Sequence, residues 1–505
     1  MKIDISFCEN FALSKIYQVM LMKQSLKLNI KQHIEFTIHL KLFCSFLVTI
    51  ILGFPAISLA QNDMTKRQNK AILQAGIAYK NITPNPKIKN WVTGVPYSGV
   101  RDSIYTRALV LSSGDQKVVL IQWDLVDAGE SATARVRAKV SEALNIPEYN
   151  ILVNASHNHP APWAPVYGDE HRGEERDTWW AVRYMPPQHE DPYYKQWMQD
   201  LVDAAVAAAE SADKSLEPSS VWIGRADVSE YLRNRRPRPV GEGIREDHMP
   251  DDFNYRHDDW DPAILSGART FGPMDRAMTF ISFRNQSGEN VGNLFHLSCH
   301  AVSIYPFMDA VSGDWPAATI RRINEELGAP SIFLQGTAGD INPWRRGAAA
   351  VEEMAEVLTG YARKAYRYSA RLEPGQLNTD RTVVGLPLTD YGKERTGLES
   401  MPAEIQAVTY GSLAMVTLPG EPMTELGMEI RKRSPYPQTL VLGYSNGNGV
   451  HYVGMPGEKK HGGYEVGEKT NLGTDRAGLI MVEAAEDLLH KMYEKNNHEN
   501  GNEKE

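Results

Sequence analysis

Short apolar runs alternate along the chain with longer stretches of helical periodicity. Residues 108–111 and 118–123 are continuous apolar runs of strand length, which is typical of buried strands. Helices are predicted for residues 132–144, 193–211 and 351–368. The alternation predicts an α/β fold in which mixed β-sheets are flanked by helices and catalytic loops gather at one sheet edge.

Four apolar runs end in polar loops that carry candidate metal ligands. These candidates are His157 and His159 after the run 149–153, His300 after 293–299, Glu421 after 413–418, and His451 with Tyr452 after 440–442. Imidazole nitrogen and carboxylate or phenolate oxygen suit Zn²⁺, which keeps one coordination position open in catalytic sites. The pattern therefore indicates an enzyme with one zinc ion.

Six short motifs lie between residues 75 and 487. They are Ala-Gly-Ile-Ala at 75–78 with Asn-Ile-Thr-Pro at 81–84, Ser-His-Asn-His-Pro-Ala-Pro at 156–162, Ser-Cys-His-Ala-Val-Ser at 298–303, Gln-Gly-Thr-Ala-Gly-Asp-Ile-Asn-Pro at 335–343, Pro-Gly-Glu-Pro at 419–422 and His-Tyr-Val at 451–453. Together they resemble the neutral/alkaline ceramidase superfamily, the zinc amidases of sphingolipid breakdown and their divergent bacterial relatives.

The resemblance implies a role for six residues. The zinc ligands would be His157, His300, Glu421 and Tyr452. His159 and Tyr464 would face the substrate oxygen as polarising or proton-transferring groups. The fold implied is that of the ceramidase N-terminal domain.

Two departures from the family pattern argue against ceramide as the substrate. The ceramidases carry a serine nucleophile in the glycine-aspartate loop, and the matching position here is Gly336, which has no nucleophilic side chain. Thr337 would serve only if the loop were shifted by one residue. We also expect the chain to lack the family's C-terminal β-domain. The metal scaffold is thus predicted to be kept while the chemistry has changed.

Composition and the first residues predict an exported protein. A formal net charge of -9 over 505 residues argues against a nucleic-acid partner. Lys41 precedes the apolar run 42–54, and small residues follow up to Ala60. We interpret residues 1–60 as a signal peptide cleaved near Ala60, with a mis-assigned start, 61–493 as a single zinc-dependent catalytic domain, and 494–505 as a polar disordered tail. The mature protein would be periplasmic or extracellular, with no stable membrane span.

The region from 163 to 260 is rich in aromatic residues and arginine and suggests an anionic sugar as the substrate. Its candidate substrate-binding residues are Trp163, Arg233, Arg235 and Arg236. Aromatic rings stack on sugar faces, and arginine binds carboxylates through two hydrogen bonds. The alternative is that these arginines pair with acids close to them in sequence, such as Glu230 and Glu242, on a solvated loop.

The leading functional hypothesis is elimination from a uronic-acid-containing oligosaccharide, for example during ulvan degradation. In such a lyase or dehydratase, Zn²⁺ and an arginine would neutralise the uronate carboxylate, while His159 or Tyr464 exchanges protons. One alternative is a zinc hydrolase that cleaves an amide or ester, such as a ceramidase-like N-acyl substrate, with metal-bound water. Another is a non-catalytic binding protein with a vestigial site.

Overall fold

A computed structural model describes residues 72–167, 191–236, 238–239, 269–305 and 308–501 of the protein. They belong to one compact unit, Ala71–Glu505. The predicted signal peptide, residues 1–60, lies outside the described residues, as do parts of the aromatic and arginine-rich region. Within the described part of the chain, no helix is long and apolar enough to cross a membrane.

The described residues form strands and helices in alternation. The strands are β1 (Gln74–Asn81), β2 (Tyr105–Ser113), β3 (Gln116–Trp123), β4 (Ile151–Ala155), β5 (Glu217–Asp227), β6 (Leu232–Asn234), β7 (Arg238–Pro239), β8 (Arg269–Thr270), β9 (Ala277–Asn285), β10 (Asn290–Leu297), β11 (Ser331–Gln335), β12 (Ile341–Pro343), β13 (Ala370–Arg371), β14 (Leu377–Pro387), β15 (Ser400–Tyr410), β16 (Leu413–Thr417), β17 (Glu421–Pro422), β18 (Gln438–Leu442) and β19 (Tyr452–Val453). The α-helices are α1 (Glu130–Leu144), α2 (Pro192–Lys214), α3 (Asp314–Leu327), α4 (Ala348–Arg367), α5 (Asp390–Thr396), α6 (Thr424–Arg433) and α7 (Ala477–Gly501). Helix α7 thus continues into the stretch predicted to be a disordered tail.

A large mixed sheet forms the centre of the fold. Its strands follow the order β11-β10-β9-β5-β1-β2-β3-β4, and β13 pairs with β5. Neighbouring strands are antiparallel except for the pairs β3 with β4 and β10 with β11, which are parallel. A second sheet has the order β14-β15-β16-β18. Both sheets are flanked by helices, which confirms the predicted α/β class.

Each sheet packs against a different layer on each face, and successive side chains along a strand alternate between the two layers. On β2, Ala108 and Val110 face the core formed with α1 and α2, whereas Leu109 and Leu111 face the second sheet. Successive side chains of a strand point to opposite faces, so an unbroken apolar run is what a strand buried on both sides requires. The same alternation occurs on β16, where Met415 faces the large sheet.

The two edge strands of the large sheet, β4 and β11, meet beside the polar loops. The Asn154 side chain joins them, since its Oδ1 accepts from the backbone N–H of Gln335 at 3.0 Å and its Nδ2 lies 3.5 Å from the Gln335 carbonyl oxygen. Asn154 Nδ2 also donates to the Gly443 carbonyl at 2.8 Å, just after β18. One buried carboxamide therefore brings together the ends of strands from both sheets, and the loops that follow those ends converge.

Candidate metal centre

Two histidines that follow strand ends present one ring nitrogen each to the same point. His157 follows β4 and His300 follows β10, and both side chains are almost fully buried, with 2% and 0% exposure. His157 Nδ1 lies 2.7 Å from the Val126 carbonyl oxygen, and His300 Nδ1 lies 2.7 Å from that of Ala338. A carbonyl oxygen only accepts, so Nδ1 carries the proton in each ring and Nε2 presents its lone pair.

Glu421 lies opposite these two lone pairs. Its Oε2 is 3.1 Å from His157 Nε2 and 3.3 Å from His300 Nε2. Glu421 reaches this point from β17, a short strand that pairs with β19 so that Glu421 is in register with Tyr452. The structure therefore brings together three of the four predicted metal ligands, and it places the fourth on the adjacent strand.

His159, predicted to face the substrate, is also within reach of a cation at this point. Its Nε2 is 3.0 Å from His157 Nε2, and the ligand nitrogens of His157, His159 and His300 all lie within 4.8 Å of one another. Trp91 supports the His159 loop, because its indole N–H donates to the His159 carbonyl at 3.1 Å. The geometry alone thus allows three imidazoles and one carboxylate at this point.

The donor set fits a divalent cation. Neither His300 Nε2 nor Glu421 Oε2 has a hydrogen-bond partner among the described residues, and both atoms are buried. With the His157 and His300 protons used on Nδ1, the two Nε2 lone pairs and the Glu421 carboxylate converge on one point. Buried unsatisfied acceptors are costly, and a borderline-soft cation such as Zn²⁺ would satisfy them.

Burial controls the protonation of this cluster. Burial, the nearby Arg235 and His157 together lower the pKa of His300 to about 3. Burial and the neighbouring His157 also lower the pKa of His159 well below its ordinary value. Burial alone would raise the pKa of Glu421, but His157 and His300 outweigh it and keep that pKa low. Neutral imidazoles beside an ionised carboxylate are the forms that ligate a metal.

Arg235, predicted to bind substrate, contacts the predicted ligand Tyr452. Its Nη2 donates to Tyr452 Oη at 3.0 Å and to the Gly339 carbonyl at 2.9 Å. Its Nε pairs with Glu465 at 2.5 Å, and its Nη1 lies 3.4 Å from Asn342 Oδ1. Because arginine only donates, the Tyr452 oxygen is the acceptor in this contact.

Arg236 is engaged within the protein. It is 1% exposed, its Nη1 donates to Glu458 Oε2 at 2.6 Å, and its Nη2 donates to the Gly462 carbonyl at 2.7 Å. Its Nε is 3.3 Å from Glu465 Oε2. Arg233 is 9% exposed and lies on β6, in register with Asn342. The acids that pair with Arg235 and Arg236 are buried and distant in sequence, so pairing with sequence neighbours on a solvated loop is wrong for these two.

The two remaining predicted residues lie at the edge of the cluster. Tyr464 is 40% exposed, and its ring centroid is 5.5 Å from that of Tyr452. Trp163 is 6% exposed and packs edge-on against Trp91 at 5.6 Å. Trp91 in turn packs edge-on against the His159 ring at 5.4 Å. Trp163 therefore contacts Trp91, which in turn contacts His159 of the cluster.

Sequence reasoning gave neither Tyr444 nor Asn342 a place in the site, and it interpreted Asn342 as a brace of the glycine-aspartate loop. The Tyr444 ring lies 4.2 Å from the His157 ring, and its buried hydroxyl has no hydrogen-bond partner among the described residues. Asn342 is 0% exposed and contacts Arg235. Tyr444 follows the apolar run 440–442, and Asn342 stands inside the motif at 335–343, but a single tyrosine or asparagine in a loop gives no distinct signal.

The structure changes the interpretation of Gly336 as the position of a lost nucleophile. A Cβ at this position would collide with Ser298 Oγ and come within 2.9 Å of His296 Nε2, so the position faces packed side chains. The Thr337 side chain is 2% exposed and packs against Gly427. A side chain at 336 has no room to act as a nucleophile in this fold. The absence of serine there is therefore no argument against hydrolysis.

Comparisons with known proteins identify the fold. Crystal structure analysis of neutral ceramidase from Pseudomonas aeruginosa gives a chain that superposes with a TM-score of 0.64 at 14% sequence identity, covering 84% of this chain and 75% of that one. A ceramidase complexed with C2 gives a TM-score of 0.62 at 14% identity, covering 84% and 76%. A search of curated proteins gave no significant match. The fold defined by this architecture is thus that of the neutral ceramidases.

The family follows from the sequence itself. A profile of the neutral/alkaline non-lysosomal ceramidase N-terminal domain matches residues 95–357, just over half of the chain. The protein belongs to the neutral/alkaline non-lysosomal ceramidase family, as the motifs predicted. This membership supports hydrolysis, the alternative in the sequence analysis, better than elimination from a polysaccharide, for which the comparisons offer no support.

Proposed function

We propose that the protein is a metal-dependent hydrolase that cleaves an amide or ester bond in an N-acyl or O-acyl substrate. The observation that carries the proposal is the convergence of His157 Nε2, His300 Nε2 and Glu421 Oε2, at separations of 3.1 and 3.3 Å from the carboxylate. Family membership supports the bond type.

In this proposal the metal is held by His157, His300 and Glu421, with Tyr452 as the fourth ligand. The Val126 and Ala338 carbonyls fix the two imidazole rings through Nδ1, which orients the ligands before the ion binds. When bound, a zinc ion supplies a Lewis acid that polarises a carbonyl and promotes ionisation of water.

The chain's own residues supply proton transfer and oxyanion binding. His159 is adjacent to the cluster, and its Nδ1 is buried with no hydrogen-bond partner among the described residues, so the neutral ring is placed to hydrogen-bond the substrate and to relay a proton. Tyr464 is 40% exposed at the edge of the site. Its phenol is protonated at neutral pH and is suited to donate to the developing oxyanion.

Elimination from a uronate has less support than hydrolysis. That hypothesis needed arginines with open guanidinium groups for the substrate carboxylate. Arg236 is instead surrounded by Glu458, Glu465 and the Gly462 carbonyl, and Arg235 pairs with Glu465. Buried acids and carbonyls of the protein thus already take up most donors of these two guanidinium groups, which leaves few for a substrate carboxylate.

The test combines product analysis with metal content. Purified protein would be depleted with a chelator, reloaded with Zn²⁺, and incubated with N-acyl and O-acyl substrates and, in parallel, with uronic-acid oligosaccharides. We expect metal-dependent release of amine or alcohol. His157→Ala should lose bound metal and hydrolysis together, while His490→Ala, which removes an exposed imidazole bound to the Arg433 carbonyl, should retain both.

Two outcomes would contradict the proposal. Full hydrolysis by His157→Ala would exclude the proposed ligand set. An oligosaccharide product that absorbs in the ultraviolet, with no acyl cleavage, would instead show that the protein is a lyase.

We further propose the domain division given by the sequence: a leader at residues 1–60, a single catalytic domain at 61–493, and export of the mature protein. The compact unit Ala71–Glu505 supports one catalytic domain. Sequencing the N-terminus of the protein secreted by its native host would test cleavage near Ala60.

A further inference from the structure

A surface cavity lies apart from the candidate metal centre, at the other end of a short β-ribbon. The ribbon consists of β6 and β12, in which Leu232 pairs with Pro343 and Asn234 pairs with Ile341. Arg235, which contacts Tyr452, follows the Asn234 end. The cavity opens at the Leu232 end, about three residues or 10 Å away along the ribbon.

The cavity combines aromatic walls with acidic groups. It has a volume of about 160 Å³, and its lining includes Tyr231, Trp344 and Met354 together with the carboxylates Glu230 and Glu353. The Trp344 backbone N–H donates to the Tyr231 carbonyl at 2.9 Å, which fixes the two aromatic residues side by side. A space of this size holds a ligand of roughly benzene volume, so only a small head group fits.

The charge in the cavity is negative. Among the lining residues that the structure describes, Arg345 is the single cation, against two carboxylates. Its Nη1 is 3.4 Å from Glu353 Oε2, and the two side chains are 67% and 50% exposed. Exposed pairs of this kind are weak, so a ligand cation would compete with Arg345 at little cost. Glu230 accepts a hydrogen bond from the Tyr361 hydroxyl at 3.3 Å, which keeps its carboxylate in place.

We propose that this cavity binds a small organic cation with a methylated ammonium group. Aromatic faces attract cations through the ring quadrupole, and methylated ammonium is favoured because its methyl groups also fill apolar space between the rings. Glu230 and Glu353 add direct electrostatic attraction, and Met354 provides an apolar contact surface. A neutral or anionic ligand of the same size would gain only the apolar part of this interaction.

The probe pair is choline and its uncharged isostere 3,3-dimethyl-1-butanol, titrated into the full-length protein by calorimetry at low ionic strength. We expect choline to bind at least about fivefold more tightly than the alcohol, as cation–π attraction with partial desolvation predicts. Glu353→Gln should weaken choline binding about threefold to fivefold. Trp344→Leu, which keeps an apolar side chain without an aromatic face, should weaken it at least as much.

Glu356→Gln is the matched control, because it makes the same charge change on the same helix, α4, at an exposed position that does not line the cavity. It should leave choline binding within about twofold of wild type. Equal binding of the two probes, no binding of choline, or an equal loss in Glu356→Gln and Glu353→Gln would each overturn the proposal. Acyl hydrolysis is not needed for this titration, so failure of the proposed function would leave its result unaffected.

Discussion

Replacement of Arg236 by methionine should damage stability rather than substrate affinity. The side chain is 1% exposed and makes contacts of 2.6 Å to Glu458, 2.7 Å to the Gly462 carbonyl and 3.3 Å to Glu465. Methionine keeps most of the length of the side chain but removes every donor. Breaking a buried ion pair leaves an uncompensated charge and typically costs about 3–5 kcal/mol.

The contacts that remain place the expected loss at the lower end of this range. Glu458 keeps both of its 2.9 Å contacts to Arg238, and Glu465 keeps its contact to Arg235. The Gly462 carbonyl loses the two Arg236 donors and is left to solvent or to a shifted loop. We therefore expect the free energy of unfolding to fall by about 3 kcal/mol.

Urea unfolding would measure this loss, with the midpoint shift converted through the measured slope. Arg363→Met is the matched control, since it removes a 2.8 Å pair with Glu326 in which the side chains are 59% and 30% exposed. That exposed pair should contribute at most about 1 kcal/mol. If Arg236→Met unfolds like wild type while KM for the substrate rises tenfold or more, the structural role is refuted and the predicted substrate-binding role stands.

Two further predictions concern packing and pH. Gly336→Ser should lower the free energy of unfolding by about 1–3 kcal/mol because its Cβ collides with Ser298, and a fluorophosphonate probe should not label the new hydroxyl; labelling would show that the position faces the site. Burial raises the pKa of Asp314 to about 6, above its unfolded value, so its contribution to stability is complete below about pH 4 and is lost as pH rises through about 6. In metal-free protein, the difference in unfolding free energy between wild type and Asp314→Asn should therefore change by about 2 kcal/mol between pH 4 and pH 7, and a flat difference would contradict the assignment.

The sequence predicted the layers of sheet and helix and the loops that form the site. Both depend on the local pattern of apolar and polar residues. Strands buried on two faces need unbroken apolar runs, and β2 and β16 show them. The ends of such strands lead into loops at the sheet edges, so the stretches with His157 and His300 were recognisable as site loops. The short motifs, and not the apolar pattern, indicated the family.

The arginine contacts and the orientation of Gly336 were beyond prediction for a physical reason. Arg236 binds Glu458, which is 222 residues further along the chain, so no local spacing reports the pair. Gly336 looked like a lost nucleophile because sequence does not show which way a Cβ points. In the fold that direction is blocked by His296 and Ser298, which come from the neighbouring strand end.

Three residues that contact the segment of Glu421 have a strained backbone conformation. His157, Tyr444 and His451 all have left-handed backbones, with φ of 58°, 51° and 65°. Such strain costs about 1–3 kcal/mol for each residue and persists only where surrounding contacts over-determine it.

The contacts that hold these three residues converge on the segment that carries Glu421. The Tyr444 N–H donates to the Gly420 carbonyl at 3.0 Å, and the Glu421 N–H donates to the His451 carbonyl at 2.8 Å. Glu421 Oε2 faces the His157 Nε2 lone pair at 3.1 Å, so these two acceptors attract each other only through a cation. A cation bound between Glu421 and the imidazoles would supply this link, so metal binding and the strained geometry of His157 and of the loop 444–451 should stabilise each other.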